Sequence, residues 1–333
     1  MPSLKEIKGR INSISSTLAI TSAMKMVAAA KLQKAQMAIQ NMLPYERRLY
    51  SMLVDLMGAM NISAAASEDG SVRGSGSAER GFDQSGDRLS LSNRHDLAGM
   101  DGAYSLMAQR EVRKVAIVAF ASNSSLCGAF NSNVIREATA VINEYRASGL
   151  GDADITVYSV GRKMAEAMKK LGFPSPADFT KMSDSPSYDA ASALAQELFD
   201  GFVSGRFDKV ELVYNHYKST SSQPTTRQTY LPLSLADATA DIQVGKITDS
   251  ASESDTNRGA ETVGAPVVRQ GSPTTEDLIV EPSKEALIAI LLPKVIRLRI
   301  FTTLLDSAAA EHAARTVAMQ LATDNGNDLL QEL

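Results

Sequence analysis

The first 58 residues carry a single repeating pattern. Apolar residues fall at Leu4, Ile7, Ile11, Ile14, Leu18, Ala28, Leu32, Ala35, Ile39, Met42, Leu49, Leu53 and Leu56, in alternating steps of three and four. Counting through the gaps lands on Thr21, Lys25 and Glu46 without a slip of register. This spacing predicts a helix over residues 3–58 with a heptad seam of the kind that supports left-handed supercoiling. At about 1.5 Å per residue such a helix is roughly 80 Å long. Pro44 is expected to bend it, because proline removes a backbone donor and crowds the preceding turn. A seam of this length needs a partner stripe.

The partner lies at the other end of the chain. From Ser283 onward Leu287, Leu291, Lys294, Leu298, Phe301, Leu305, Ala308, His312, Arg315, Met319 and Ala322 repeat the same steps. Ser283 is placed to cap this helix, Glu285 favours its dipole, and Pro293 marks a kink. The two helices are predicted to pair as an antiparallel coiled coil. Thr21, Lys25, Lys294, His312 and Arg315 are polar seam positions that set register at some cost in stability.

Between them the period changes. Residues 112–121 read as a buried strand, 132–147 as a helix and 154–160 as a second strand. A helix over 161–171 stops at Gly172; another follows at 187–204, and strands at 208–216 and 226–232. Alternating strands and helices predict a small α/β domain of Rossmann-like layout with a largely parallel sheet. Two stretches without periodicity read as flexible insertions: 63–103, rich in Ser, Gly, Asp and Arg, and 245–273, polar and rich in Gly and Ser. The predicted organisation is therefore a shaft from 1–60 and 283–333, an insertion at 61–110, an α/β domain at 111–244, and a second insertion with linker at 245–282.

Composition narrows the function. A net charge of -4 argues against bulk nucleic-acid binding. Residues 1–50 are the exception. Lys5, Lys8, Arg10, Lys25, Lys31, Lys34, Arg47 and Arg48 face only Glu6 and Glu46, a net of +6 that suits either a solvated face or an acidic partner. A single cysteine, Cys127, allows no intrachain disulfide and points to a reducing compartment. The charged N-terminus has no apolar signal region, and no uncharged apolar run approaches 18 residues.

Catalytic chemistry finds little support. The turn after the first strand holds one glycine, Gly128, where a dinucleotide fingerprint needs three. Gly245-Lys246 lacks the rest of a phosphate-binding loop. Cys127 near a helix start could be a nucleophile, but His95, His216 and His312 sit in unrelated segments; a buried packing role is the alternative. The histidines and the cysteine have no metal-ligand spacing, and Glu253 and Asp255 lie in solvated sequence. The residues point to a mechanical or interaction protein without a cofactor.

Three stretches together resemble the gamma subunit of F-type ATP synthases. They are Ile20-Thr21-Ser22-Ala23-Met24-Lys25-Met26-Val27-Ala28-Ala29-Ala30-Lys31 followed by Pro44-Tyr45; Ser125-Leu126-Cys127-Gly128-Ala129-Phe130-Asn131; and Glu311-His312-Ala313-Ala314-Arg315-Thr316-Val317-Ala318-Met319 with Ala322-Thr323-Asp324-Asn325. The resemblance implies a rotor whose terminal helices enter a ring of three alpha and three beta subunits. Its α/β domain would meet the epsilon subunit and the c-subunit ring, at the cytoplasmic face of the cell membrane and peripheral to it. Catalysis would belong to the beta subunits, and this chain would bind no nucleotide. Met24 and Lys25 match the family's pair near the acidic loop of the beta subunit; Glu311 and Arg315 match the residues of the C-terminal helix that face the beta subunits.

The chain departs from the family in its turn, Ser122-Asn123-Ser124-Ser125-Leu126-Cys127, where members often carry Ser-Asp-Arg/Lys-Gly-Leu-Cys, and in its two insertions. The family also continues about seven helical turns beyond Leu333, nearly 40 Å at about 1.5 Å per residue. Either the sequence is cut short or the shaft is. The alternatives to a rotor are a non-rotary coiled-coil adaptor and a small α/β enzyme using Cys127.

Overall fold

In the computed structural model, residues 4–68, 106, 110–233 and 283–332 are described, with side chains placed at all of these except 4, 57–68, 284 and 285. Both insertions, apart from the helical residues noted below and Leu106, lie outside the described residues, as does His95. The chain divides into two compact units, one of residues 1–46, 108–233 and 295–333, the other of 47–107 and 234–294.

The elements follow the predicted order. Helix α1 spans Leu4–Glu68 and continues through Pro44. It also runs to Glu68, past the start of the predicted insertion at residue 61. The α/β elements are β1 (Val115–Phe120), α2 (Phe130–Ala147), β2 (Ile155–Val160), α3 (Arg162–Lys170), α4 (Thr180–Asp184), α5 (Tyr188–Val203), β3 (Lys209–Asn215) and β4 (Thr225–Leu231). Helix α6 covers Lys284–Glu332 and runs through Pro293. Its N-cap is Ser283, whose hydroxyl accepts from the Ala286 amide at 3.1 Å, which satisfies one of the orphan donors of the first turn. The five-residue α4 has no sequence signal of its own.

The sheet order is β2-β1-β3-β4, with β1 parallel to both neighbours and β4 antiparallel to β3. Central β1 is buried at every position, as expected of a parallel strand covered on both faces. On one face Val115, Ile117 and Ala119 pack with Val134, Ala138, Val141 and Ile142 of α2 and Met164 and Met168 of α3. Strand alternation sends Ala116, Val118 and Phe120 to the other face. Helix α5 lies on that side, where Glu197 accepts from the Tyr158 hydroxyl at 3.1 Å. The sharp entry to α3 depends on Gly161. Its φ is 96°, and a Cβ there would stand 2.0 Å from the Ala121 carbonyl oxygen.

The first unit also holds the antiparallel pair of α1 and α6. Leu32 packs with Ala309 and Ala313, flanked by Ala35 and Ile39. The Thr302 hydroxyl donates to Glu46 at 3.0 Å, and the Thr21 and Thr323 hydroxyls lie 3.0 Å apart. Gly326 gives room for Leu18, whose Cδ2 would be 2.8 Å from a Cβ at that position. The pairing of Thr21, Glu46 and Leu32 with these partners fixes the register. The polar seam positions Thr21 and Glu46 are thus matched by hydroxyls, so burying them leaves no unpaired group.

Helix α6 departs from the predicted single stripe. Lys294 is exposed rather than on the seam. Between residues 295 and 315 burial extends around the helix, taking in Arg299, Thr303 and Ser307 as well as the predicted positions. The reason is a second neighbour: α6 packs against the α/β domain as well as against α1. The Tyr230 hydroxyl donates to the Ile296 carbonyl at 3.0 Å, Arg297 donates to Gln196 at 2.7 Å, and the rings of Tyr188 and Phe301 meet edge-on at 5.8 Å. In the second unit Leu49, Leu53, Leu56, Ile288 and Leu292 are buried.

Candidate functional site

The turn between β1 and α2 is held by side-chain hydrogen bonds. Asn131 organises it. Its side-chain oxygen accepts from the Ser122 amide at 3.0 Å, while its nitrogen donates to the Ser124 carbonyl at 3.2 Å and reaches the Cys127 sulfur at 3.1 Å. Leu126 and Gly128 both take positive φ, 66° and 58°, so the loop doubles back and turns Cys127 inward. Cys127 and Phe130 then pack on Ala310 of α6, beside Ala314 and Tyr217.

That placement decides what Cys127 can do. It is 1% exposed, and burial pushes its thiol above the ordinary value, outweighing the Ser122 hydrogen bond and the Arg315 charge that favour the thiolate. Among the described residues its sulfur pairs with Ser122, Ser124 and Asn131, and no histidine reaches it. A protonated, enclosed thiol is a poor nucleophile, and the geometry supports packing. Among the described residues no group of three His, Cys, Asp or Glu side chains could hold a metal. No helix among them is long and apolar enough to cross a membrane.

The four predicted contact residues separate into two environments. Met24 and Lys25 are half-buried on α1, with Met26 and Val27 beside them exposed at 65% and 58%. Glu311 and Arg315, one helical turn apart on α6, are 8% and 9% exposed. Arg315 donates to Glu311 at 2.5 Å and, through its other terminal nitrogen, to the Ser125 carbonyl at 2.8 Å. This residue therefore ties α6 to the β1–α2 turn. Burial raises the Glu311 carboxyl above the usual range, while Arg315 and Lys31 act against that rise and Asp184 adds to it. The structure brings Glu311 and Arg315 together and keeps Met24 and Lys25 on the other helix.

His312 sits between them in sequence. Its Nδ1 is buried without a hydrogen-bond partner. Burial first, then the charges of Lys31 and Arg315, lower the ring to about 4 from 6.5. It is neutral at physiological pH.

A further polar junction escaped sequence reasoning. Asp306 of α6 receives the His216 ring at 2.6 Å on one oxygen and the Tyr217 amide at 2.9 Å on the other. The Tyr217 hydroxyl in turn accepts from Gln36 of α1 at 2.6 Å. An aspartate on an amphipathic helix reads by default as solvated, so the sequence offered no signal for it.

On the far side of the sheet, Glu211 is 2% exposed and accepts from Tyr145 at 2.7 Å and Arg227 at 2.7 Å, with Lys209 at 2.7 Å. These partners hold its carboxyl below the usual range despite burial, the largest opposing effect. Glu144 pairs with the same Arg227. Every oxygen is matched, so this network is structural.

Comparison with known proteins now adds to this geometry. The family described as ATP synthase matches residues 3–333. The ATP synthase gamma chain of Phocaeicola vulgatus is 45% identical over 333 residues, covering 100% of this chain and 91% of that one. The gamma chain of Flavobacterium psychrophilum is 33% identical over 333 residues, covering 100% and 90%. Among solved structures, a chain from the rotor of the Euglena gracilis mitochondrial ATP synthase has the same fold, with a TM-score of 0.50 at 18% identity, covering 98% of this chain and 92% of that one. The long two-helix pair, the α/β domain pinned to it and these matches agree: the chain belongs to the family of ATP synthase gamma chains.

Proposed function

We propose that this chain is the central-stalk rotor subunit of an F-type ATP synthase, carrying torque between a membrane ion-driven ring and a catalytic hexamer of alpha and beta subunits. Its role is non-catalytic. The observation that carries the reading is the antiparallel α1–α6 pair joined to the α/β domain by hydrogen bonds at both the 122–131 turn and the 216–217 corner. A body that transmits torque needs such fixed joints, whereas an adaptor needs only an exposed surface. Family membership supports the same choice over the adaptor.

The α1–α6 pair would enter the hexamer, and the α/β domain would meet the epsilon subunit and the c-subunit ring. The complex would sit peripherally at the cytoplasmic face of the cell membrane. Met24 and Lys25 would contact the beta subunits: the thioether adapts to a changing apolar surface, and the lysine meets acidic side chains. The excess of cations in the first 50 residues supports an acidic partner. Glu311 and Arg315 would act one layer deeper, bracing the turn beneath the contact surface.

Reconstitution tests the proposal. The chain is mixed with alpha and beta subunits and a probe is attached to the α/β domain. ATP-driven, unidirectional rotation with one copy of this chain per three alpha and three beta subunits is expected. Assembly with hydrolysis but without any rotation would sink it.

A further inference from the structure

The corner between β3 and β4 is built unlike a connecting loop. Its first two residues are held from three directions. Asp306 uses both carboxylate oxygens, one on the His216 ring at 2.6 Å and one on the Tyr217 amide at 2.9 Å. Gln36 holds the Tyr217 hydroxyl at 2.6 Å. The Tyr217 ring packs at once against Leu32 of α1 with Ala309 and Ala313 of α6, and against Cys127 and Phe130 of the β1–α2 turn with Ala310. One side chain thus touches α1, α6 and the sheet domain together.

Three further hydrogen-bonded ties among the described residues differ in reach. Tyr230 bonds Ile296, Arg297 bonds Gln196 and Arg315 bonds Ser125, and each of these joins the domain to α6. Contacts to one helix allow the domain to swing about that helix. Contacts to both helices remove that freedom, because a swing about either one must stretch the bond to the other.

We infer that the His216–Tyr217 corner, locked by Asp306 and Gln36, is the torsional key that fixes the α/β domain to both helices of the shaft, with Asp306 and Tyr217 as its positioning residues. The inference deepens the rotor reading and rests on it for its meaning in the assembled machine. The groups facing His216 are Asp306 from α6 and Lys218 from its own loop. The key is therefore charge-assisted from the helix side.

The test reads stiffness rather than stability. In a complex with the beta subunits fixed to a surface, the angular width of a probe on the α/β domain is recorded during the pauses between steps. Asp306→Ala is expected to widen the angular variance roughly twofold, since two of the three polar restraints at the corner vanish and coupling runs through such contacts. Tyr217→Phe, which removes only the Gln36 bond, should widen it less. Glu111→Gln, which disturbs an exposed ion pair with Arg113 on the same domain, serves as the control and should leave it unchanged. Unaltered variance in Tyr217→Phe and Asp306→Ala alike, or equal widening in the control, overturns the key. Hydrogen exchange on the full chain supplies a readout independent of rotation. Faster exchange at the Tyr217 amide in Asp306→Ala is expected, and an unchanged rate overturns the key even where the parent chain fails to rotate, a failure that would count against the rotor reading alone.

Discussion

His312 offers a test of how the α1–α6 interface treats charge. Its ring is held at about 4 where an unfolded histidine sits at 6.5, with burial as the first cause and Lys31 and Arg315 adding to it. A depressed folded value means that the neutral ring is favoured in the native state. The associated stability is present above about pH 6.5 and is lost as pH falls toward about 4, because the unfolded chain takes up a proton that the folded chain refuses. From about pH 8 to pH 5 the loss assigned to this group is about 2 kcal/mol, since each unit of difference corresponds to about 1.4 kcal/mol and about 1.5 units are crossed. The assay is urea unfolding followed by circular dichroism at both pH values, in the parent chain and in His312→Gln. Gln cannot titrate, so the difference between the two pH-dependent losses isolates the ring from other groups. The chain has 3 histidines, which makes a parallel titration by NMR simple to assign. Equal losses in both proteins, or a His312 resonance that titrates near the ordinary value, refute the argument that the interface excludes the proton.

Other expectations concern single contacts. Arg315→Met should cost about 3 kcal/mol in the same unfolding assay, because it strands a buried carboxylate and frees the Ser125 carbonyl; Glu311→Gln should cost about 1 kcal/mol, because Gln still accepts from Arg315. The His216 ring is raised by its bond to Asp306, so its stabilisation is complete below about pH 6.5 and fades as pH rises through the raised value. The penalty of Asp306→Asn is accordingly expected to be larger at about pH 6 than at about pH 9, and a penalty independent of pH would count against the ion pair. Gly161→Ala, facing both the positive φ and the Ala121 carbonyl, should lose about 3 kcal/mol or more, with midpoint shifts in thermal melts as the measure. Cys127 should resist iodoacetamide in the native chain and react readily only after unfolding; rapid native modification would show that the turn opens.

The backbone plan was legible because its signals are periodic. The heptad steps located Ala28, Leu32 and Leu53 as buried positions, and all three are. The short β-branched run at 112–121 reads as a buried strand, and Val115–Phe120 is buried at every position because it lies in the middle of the parallel part of the sheet, covered on both faces. Spacing also placed Thr21 and Glu46 on the seam, but it could not foresee Thr323 and Thr302 as their partners. The stripe on α6 was incomplete for a different reason. Period counting assumes one neighbour, while α6 has two, so Thr303 and Ser307 were read as off-stripe although both are buried. Helix α4 is too short to show any period. The contact residues were visible only through the family resemblance: nothing in the spacing distinguishes half-buried Lys25 from buried Arg315, and the distinction rests on Ser125, 190 residues away in sequence. Asp306 was invisible for the same reason, since its partners arrive from the loop after β3.

The separation between Leu32 and its partners Ala309 and Ala313 has a consequence for biosynthesis. About 280 residues must leave the ribosome before the first helix meets the second, which at about 5–20 residues per second is roughly 15–55 s. Throughout that interval the seam of α1 has nothing to cover it. Part of its composition suits the delay: from Thr21 to Ala35 the seam positions are Thr21, Lys25, Ala28, Leu32 and Ala35, four of them small or charged, which leaves Leu32 as the one bulky apolar group there. The bulkier Leu4, Ile7, Ile11, Ile14 and Leu18 come before this stretch, and Leu49, Leu53 and Leu56 come after it. That lean middle stretch reduces the apolar surface α1 offers to its neighbours during its own translation.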